Sequence, residues 1–205
     1  MANEQQIIEH LLNIEAVQIK PDRSFTWTSG IKSPIYCDNR LTMSYPAVRK
    51  LITSGFVDKL NDVTGEIDGI SGCATAGIPH AAWLSDALQL PMSYVRASAK
   101  KHGKENQIEG VIKKGDRIVV IEDLISTGGS VIESVRAIQS AGATVVKVLA
   151  IFSYGLKKSE EAFNAIGIPY ETLATFDQLI DFLISEGKIT VEEKIDLLAW
   201  RNELG

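Results

Sequence analysis

The stretch Val119-Val120-Ile121-Glu122-Asp123-Leu124-Ile125-Ser126-Thr127-Gly128-Gly129-Ser130 decides the fold. Arg117–Ile121 has the β-branched, apolar character of a buried strand, with Glu122 and Asp123 at its C-terminal end. Ser126–Ser130 reads as a turn, and Val131–Ser140 as a helix with Val131, Val135 and Ile138 inward and Gly142 as its stop. A helix start preceded by glycines is an anion site, because free backbone N–H groups point outward and the helix dipole favours negative charge. Gly128 and Gly129 let the backbone close on a phosphate, and the hydroxyls of Ser126, Thr127 and Ser130 add donors. No GxxxxGK[ST] motif occurs, so this is not a nucleotide P-loop. Acids before the turn suit a sugar phosphate: the turn holds the phosphate and the acids take ribose hydroxyls.

Outward from this motif the chain alternates. Strand candidates are Ile67–Ser71, Met92–Val95 and Thr144–Phe152, and helix candidates are 45–61, capped by Ser44, and Pro79–Leu88. Strands alternating with helices predict an α/β fold, a parallel sheet flanked by helices. Residues 3–17 carry Ile7, Ile8, Leu11, Leu12 and Ile14 at helical spacing, and residues 22–42 read as short strands and turns outside the α/β rhythm, a small N-terminal hood. After residue 155 the pattern is helical at 158–166, 175–186 and 190–202, with capping boxes at Thr175…Gln178 and Thr190…Glu193. The expected organisation is one domain over 1–205: helix and hood in 1–42, α/β core in 43–155, helices in 156–205.

The bulk properties exclude several classes. The chain has 205 residues, 45% hydrophobic and 23% charged, with a net charge of −5. That acidity argues against a nucleic-acid partner, which needs a dense basic surface. No apolar run reaches the roughly 20 residues of a membrane span. The start is polar, without an export signal. Cys37 and Cys73 form no CxxC pair, so a cytoplasmic setting is the simplest expectation.

Three further stretches carry chemistry. Phe25-Thr26-Trp27-Thr28-Ser29-Gly30-Ile31-Lys32-Ser33-Pro34-Ile35-Tyr36 combines aromatics with a Gly-x-x-Ser-Pro turn, suited to a lid over a flat ring. Gly72–Gly77, containing Cys73, Ala74 and Thr75, is a small-residue turn opening a helix and a second anion site. His80 just beyond it reads as structural, and Cys73 has no activating base in view. From Arg96 to Gly110 the chain is polar, and Arg96, Lys100, Lys101, His102 and Lys104 cluster there; long loops of this kind are often active-site lids.

Together these stretches resemble the type I phosphoribosyltransferases, and residues 119–130 look like that family's motif for PRPP (5-phosphoribosyl 1-diphosphate). The fold implied is the type I phosphoribosyltransferase fold. Phe25–Tyr36 is similar to the hood signature of the orotate-using members, and Arg96, Lys100, His102 and Gly103 match their catalytic loop. The resemblance implies transfer of phosphoribose from PRPP to orotate, giving orotidine 5′-phosphate and pyrophosphate in pyrimidine biosynthesis. It implies Lys100, Asp123, Arg96 and His102 as catalytic residues. PRPP contacts are implied at Arg96, Lys100, Lys101, His102, Glu122, Asp123, Leu124, Ile125, Ser126, Thr127, Gly128, Gly129, Ser130, Ala74 and Thr75. Orotate contacts are implied at Ser126, Lys32, Ile35 and Tyr36. Mg²⁺ is expected mainly through PRPP, without direct protein ligands, in a homodimer whose loops reach across the interface. The chain departs from the family pattern at Thr28 and Ala97, where lysines are frequent, and at Ser153-Tyr154-Gly155, where some members carry an arginine. Two rivals remain. One is a purine-using relative, against which the hood argues. The other is a PRPP-binding regulatory protein without catalysis, which predicts an added DNA-binding domain and a degraded loop.

Overall fold

A computed structural model describes residues 4–27, 30–63, 65–97 and 107–205. Its centre is a sheet in the order β10-β9-β8-β5-β6-β7. The strands are β5 (Gly69–Cys73), β6 (Met92–Val95), β7 (Ile108–Gly110), β8 (Arg117–Ile125), β9 (Thr144–Ser153) and β10 (Tyr170–Thr175). All pairs are parallel except β6 with β7 at one edge. Parallel strands are buried on both faces, and β9 shows why the apolar run was readable: every residue from Val148 to Ser153 is buried. The covering helices are α1 (Glu4–Asn13), α2 (Pro46–Asp58), α3 (Gly77–Leu88), α4 (Gly129–Ser140), α5 (Lys157–Ile166), α6 (Phe176–Ser185) and α7 (Val191–Glu203). The hood pairs β1 (Val17–Ile19) with β4 (Ile35–Cys37) and β2 (Phe25–Thr26) with β3 (Lys32–Ser33), both antiparallel. Among the described residues no helix is long and apolar enough to cross a membrane.

Several expectations change. Helix α2 is not capped by Ser44: a 3-10 helix, Asn39–Ser44, occupies that position, and α2 starts after Tyr45 with Pro46 in its first turn, where a missing N–H costs nothing. β8 does not stop at Ile121 but pairs with β9 as far as Ile125, so Glu122 and Asp123 lie inside the strand. The C-terminal part is not wholly helical, because β10 extends the sheet; its Glu171 meets Lys147 of β9 at 2.6 Å. The polar stretch after Arg96 is interrupted by β7. The N-terminal helix belongs to the core: Ile7, Ile8 and Leu11 share one apolar cluster with Ile52, Phe56, Leu179 and Trp200.

Candidate active site

Two helix starts open at the carboxyl ends of neighbouring strands. Helix α4 follows β8 through Ser126, Thr127 and Gly128; Gly128 takes a left-handed conformation (φ 83°), and no side chain caps the helix. Helix α3 follows β5 through Ala74, Thr75 and Ala76, also without a side-chain cap. Unpaired amide groups at both starts are available to anions. A β-carbon on Gly77 would lie 2.3 Å from the carbonyl oxygen of Ile121, so only glycine lets α3 press this closely on β8 beside the acids.

Glu122 is buried at 6% exposure and Asp123 half-buried. The Asp123 backbone N–H donates to Glu122 Oε1 at 3.0 Å. Burial, with the Asp123 carboxyl beside it, pushes the Glu122 carboxyl up to about 8. Burial raises Asp123 as well. The Cys73 thiol lies close to Glu122, so that acid faces the second loop, and burial raises the thiol well above its usual range. An unreactive, protonated Cys73 follows. Asn39 Nδ2 donates to the Asp123 carbonyl at 2.7 Å and ties the 3-10 helix to the acid strand. His80 is buried, contacts Thr42 Oγ1 at 3.2 Å, and is pulled down to about 4 by desolvation; it is structural, as its sequence context suggests.

Beside Asp123 a cavity of about 370 Å³ is lined by Thr26, Trp27, Tyr36, Cys37, Arg40, Leu124, Ser126 and Tyr154. Its floor is aromatic. Trp27 stacks on Tyr154 at 5.4 Å, and Trp200 of α7 meets Trp27 edge-on at 5.7 Å. Trp200 Nε1 donates to the Lys32 carbonyl at 3.2 Å, and Arg201 Nη1 donates to the Gly155 carbonyl at 3.1 Å while paired with Asp177. The C-terminal helix therefore braces both the hood and the loop after β9. A smaller cavity of about 50 Å³ lies between Cys73, Ala74, Arg96, Ser130 and Ser134. Arg96 faces Glu109 at 3.6 Å at this end.

This cleft, with anion sites at one end and a flat aromatic pocket at the other, agrees with comparisons to known proteins. The phosphoribosyl transferase domain pattern matches residues 44–177. The orotate phosphoribosyltransferase of Fusobacterium nucleatum is 54% identical over 98% of this chain and 96% of its own length. That of Oceanobacillus iheyensis is 57% identical, over 98% and 99%. The chain belongs to the orotate phosphoribosyltransferase family. A crystal structure of the orotate phosphoribosyltransferase from Aeropyrum pernix superposes with a TM-score of 0.77 at 28% identity, covering 90% of this chain and 99% of the other. The orotate phosphoribosyltransferases are pentosyltransferases of pyrimidine biosynthesis, and this chain is one of them.

Arg96, Ala74 and Ser130 line the smaller cavity and Ser126 the aromatic one, while Thr75 lies in the turn before α3 and Glu122 and Asp123 on β8 just ahead of the Ser126–Gly128 turn. Lys100, Lys101 and His102 lie outside the described residues, as do Thr28 and Ser29. Three other residues named from the sequence sit away from the phosphate turn. Leu124 lines the aromatic pocket and not the phosphate turn. Ile125 is buried, its carbonyl taken by the Tyr154 N–H at 3.1 Å. Ile35 is fully buried, and its carbonyl accepts from Trp27 Nε1 and Ser33, so its side chain faces the core. Lys32 is exposed and donates to Thr26 Oγ1 at 2.8 Å, one residue removed from the pocket. Sequence reasoning missed Cys37, Arg40 and Tyr154 as pocket walls. Only the Asp-x-Arg spacing of Asp38 and Arg40, a local ion pair, gave any signal.

Proposed function

We propose that this orotate phosphoribosyltransferase joins N1 of orotate to C1 of the PRPP ribose in this cleft as the bond to pyrophosphate breaks. The observation that supports the site is the buried acid pair leading into an uncapped glycine-rich helix start, with the aromatic pocket alongside. Ser126–Ser130 bind the 5-phosphate with backbone amides and hydroxyls. Glu122 and Asp123 take the ribose hydroxyls and stabilise the positive charge that builds on the ring. Ala74 and Thr75 receive pyrophosphate, and Arg96, with Lys100, Lys101 and His102, neutralises the charge it gains on leaving. Tyr36, Ser126 and Lys32 hold orotate, flat against Trp27 and Tyr154.

A hard cation fits beside these acids. Mg²⁺ prefers oxygen and keeps few protein ligands, so the oxygens of PRPP itself would hold it, with Glu122 and Asp123 kept for the ribose hydroxyls. When bound it would screen the pyrophosphate charge. The setting we propose is the cytoplasm, without membrane or nucleic-acid partners.

Turnover with PRPP, Mg²⁺ and a panel of bases tests the acceptor: orotate gives product, and adenine and hypoxanthine do not. Product from a purine alone refutes the reading. We also propose a homodimer in which each loop serves the neighbouring site. Mixing Lys100→Ala with Asp123→Asn and exchanging subunits then restores about a quarter of normal activity, because half of the dimers hold one intact site. No recovery after verified exchange leaves each loop in its own subunit.

A further inference from the structure

The aromatic pocket poses a problem of charge. Orotate carries a carboxylate on a flat ring, and moving that group out of water without a partner is costly. Among the described residues that line the pocket, Arg40 alone carries a permanent positive charge. Its position is preset. Arg40 is at the start of the 3-10 helix, where Asp38 caps its backbone N–H. The same carboxylate accepts from the guanidinium twice, at 2.6 Å from Nε and 2.8 Å from Nη2. A guanidinium has five N–H groups in a fixed fork. Asp38 occupies the side edge, which leaves Nη1 and the outer Nη2 hydrogen for a second planar acceptor. The Arg40 side chain is 64% exposed, so that edge is within reach of a ligand. The bond from Asn39 to the Asp123 carbonyl pins this corner to the strand that carries the acids.

We propose that Arg40 is a specificity-determining residue: its outer guanidinium edge takes the carboxylate of orotate and so separates orotate from uracil. This rests on orotate being the acceptor. The pocket then divides its work. Trp27 and Tyr154 accept any flat ring by stacking, Ser126 supplies a hydroxyl, and Arg40 reads the one group that a decarboxylated ring lacks. Asp38 becomes a positioning residue, which fixes the fork before the substrate arrives and lowers the ordering cost of binding.

The experiment compares two nucleotides that differ only by that carboxylate, orotidine 5′-phosphate and UMP, in equilibrium binding to the full chain. Wild-type turnover of orotate is measured first; its failure would strike the acceptor reading, while the binding comparison still addresses Arg40. Arg40→Gln is expected to weaken orotidine 5′-phosphate at least tenfold and to leave UMP within twofold. Arg40→Lys, which keeps the charge without the fork, should fall between. Arg40 is a surface side chain, so thermal unfolding of both variants should match wild type. Equal weakening of both nucleotides, or no change in either, would overturn the proposal.

Discussion

The two ends of the cleft are built on opposite plans. The phosphate end is local: strand β8, a three-residue turn and helix α4 supply acids, hydroxyls and open amides from one continuous segment, residues 117–140. The base end is assembled: Trp27 from the hood, Tyr154 from the loop after β9 and Trp200 from the last helix meet only because the chain has folded. The first is held by covalent succession and ladder hydrogen bonds. The second is held by stacking and by two long-range bonds, from Trp200 to Lys32 and from Arg201 to Gly155. Damage far from the base end should therefore reach it, while the phosphate end should respond mainly to changes within its own segment.

Trp200→Ala is the sharpest test and has the largest expected effect. The side chain is 4% exposed and packs against Trp27 and Phe176. Its removal should cost about 3–5 kcal/mol of stability, read from denaturant midpoints. In the folded fraction KM for orotate should rise while KM for PRPP stays near wild type. A parallel rise in both would show that the two ends are not independent.

Asp123→Asn probes the other end. The carboxylate is half-buried in β8 and does not fill the core, so the fold should survive. Turnover should drop roughly a hundredfold, equal to about 2.7 kcal/mol of transition-state stabilisation. Unchanged steady-state kinetics would remove Asp123 from the reaction.

The same contrast explains what the sequence disclosed. Apolar runs at 117–121 and 144–152, and turn chemistry at 126–130, act over a few residues, so strand, turn and helix could be read directly. Thr175 and Thr190 announced their helices because a capping box is a four-residue event, and both boxes form. β10 was hidden because its six residues include Glu171 and two threonines, and at this sheet edge only Leu173 and Ala174 are fully buried. Their strand character comes from pairing with β9 and from the Lys147–Glu171 contact, not from an apolar pattern of their own. Tyr154 was silent as a pocket wall for a related reason, and Arg40 announced only its local pair with Asp38. Nothing in their neighbours says that residues 36–40 and 154 close one pocket.

The acid pair also makes the ligand-free protein sensitive to pH. Burial holds Glu122 at about 8, above its unfolded range. The folded state therefore keeps a proton that the unfolded chain releases, and stability falls as pH rises from the ordinary carboxylate range toward 8. His80 works in the opposite sense: lowered to about 4, it costs stability as pH falls below about 6.5. Between about pH 6.5 and 8 the acid pair acts with little interference. The loss there should be on the order of 1–2 kcal/mol, and Glu122→Gln should flatten it. Denaturant titrations at the two pH values measure the slope. An equal slope in Glu122→Gln would assign it to other groups.

The smallest expected effect tests how far the bracing of the base end extends. Thr190 accepts from the Glu193 N–H at 3.1 Å, and Glu193 Oε2 accepts from the Thr190 N–H at 2.7 Å, closing the first turn of α7. Trp200 and Arg201 lie on that helix, more than two turns on. Thr190→Ala removes one half of the box and should cost about 1 kcal/mol. The cap lies at the surface, remote from every atom that meets substrate, so a purely local consequence would be a small drop in the unfolding midpoint. If the base end depends on α7 as a whole, the frayed helix should also loosen Trp200 against the hood. KM for orotate would then rise by up to about fivefold, the equivalent of 1 kcal/mol, with KM for PRPP unmoved. A lower midpoint with no change in KM for orotate would confine the brace to the last turns of α7, where Trp200 and Arg201 are anchored by their own bonds.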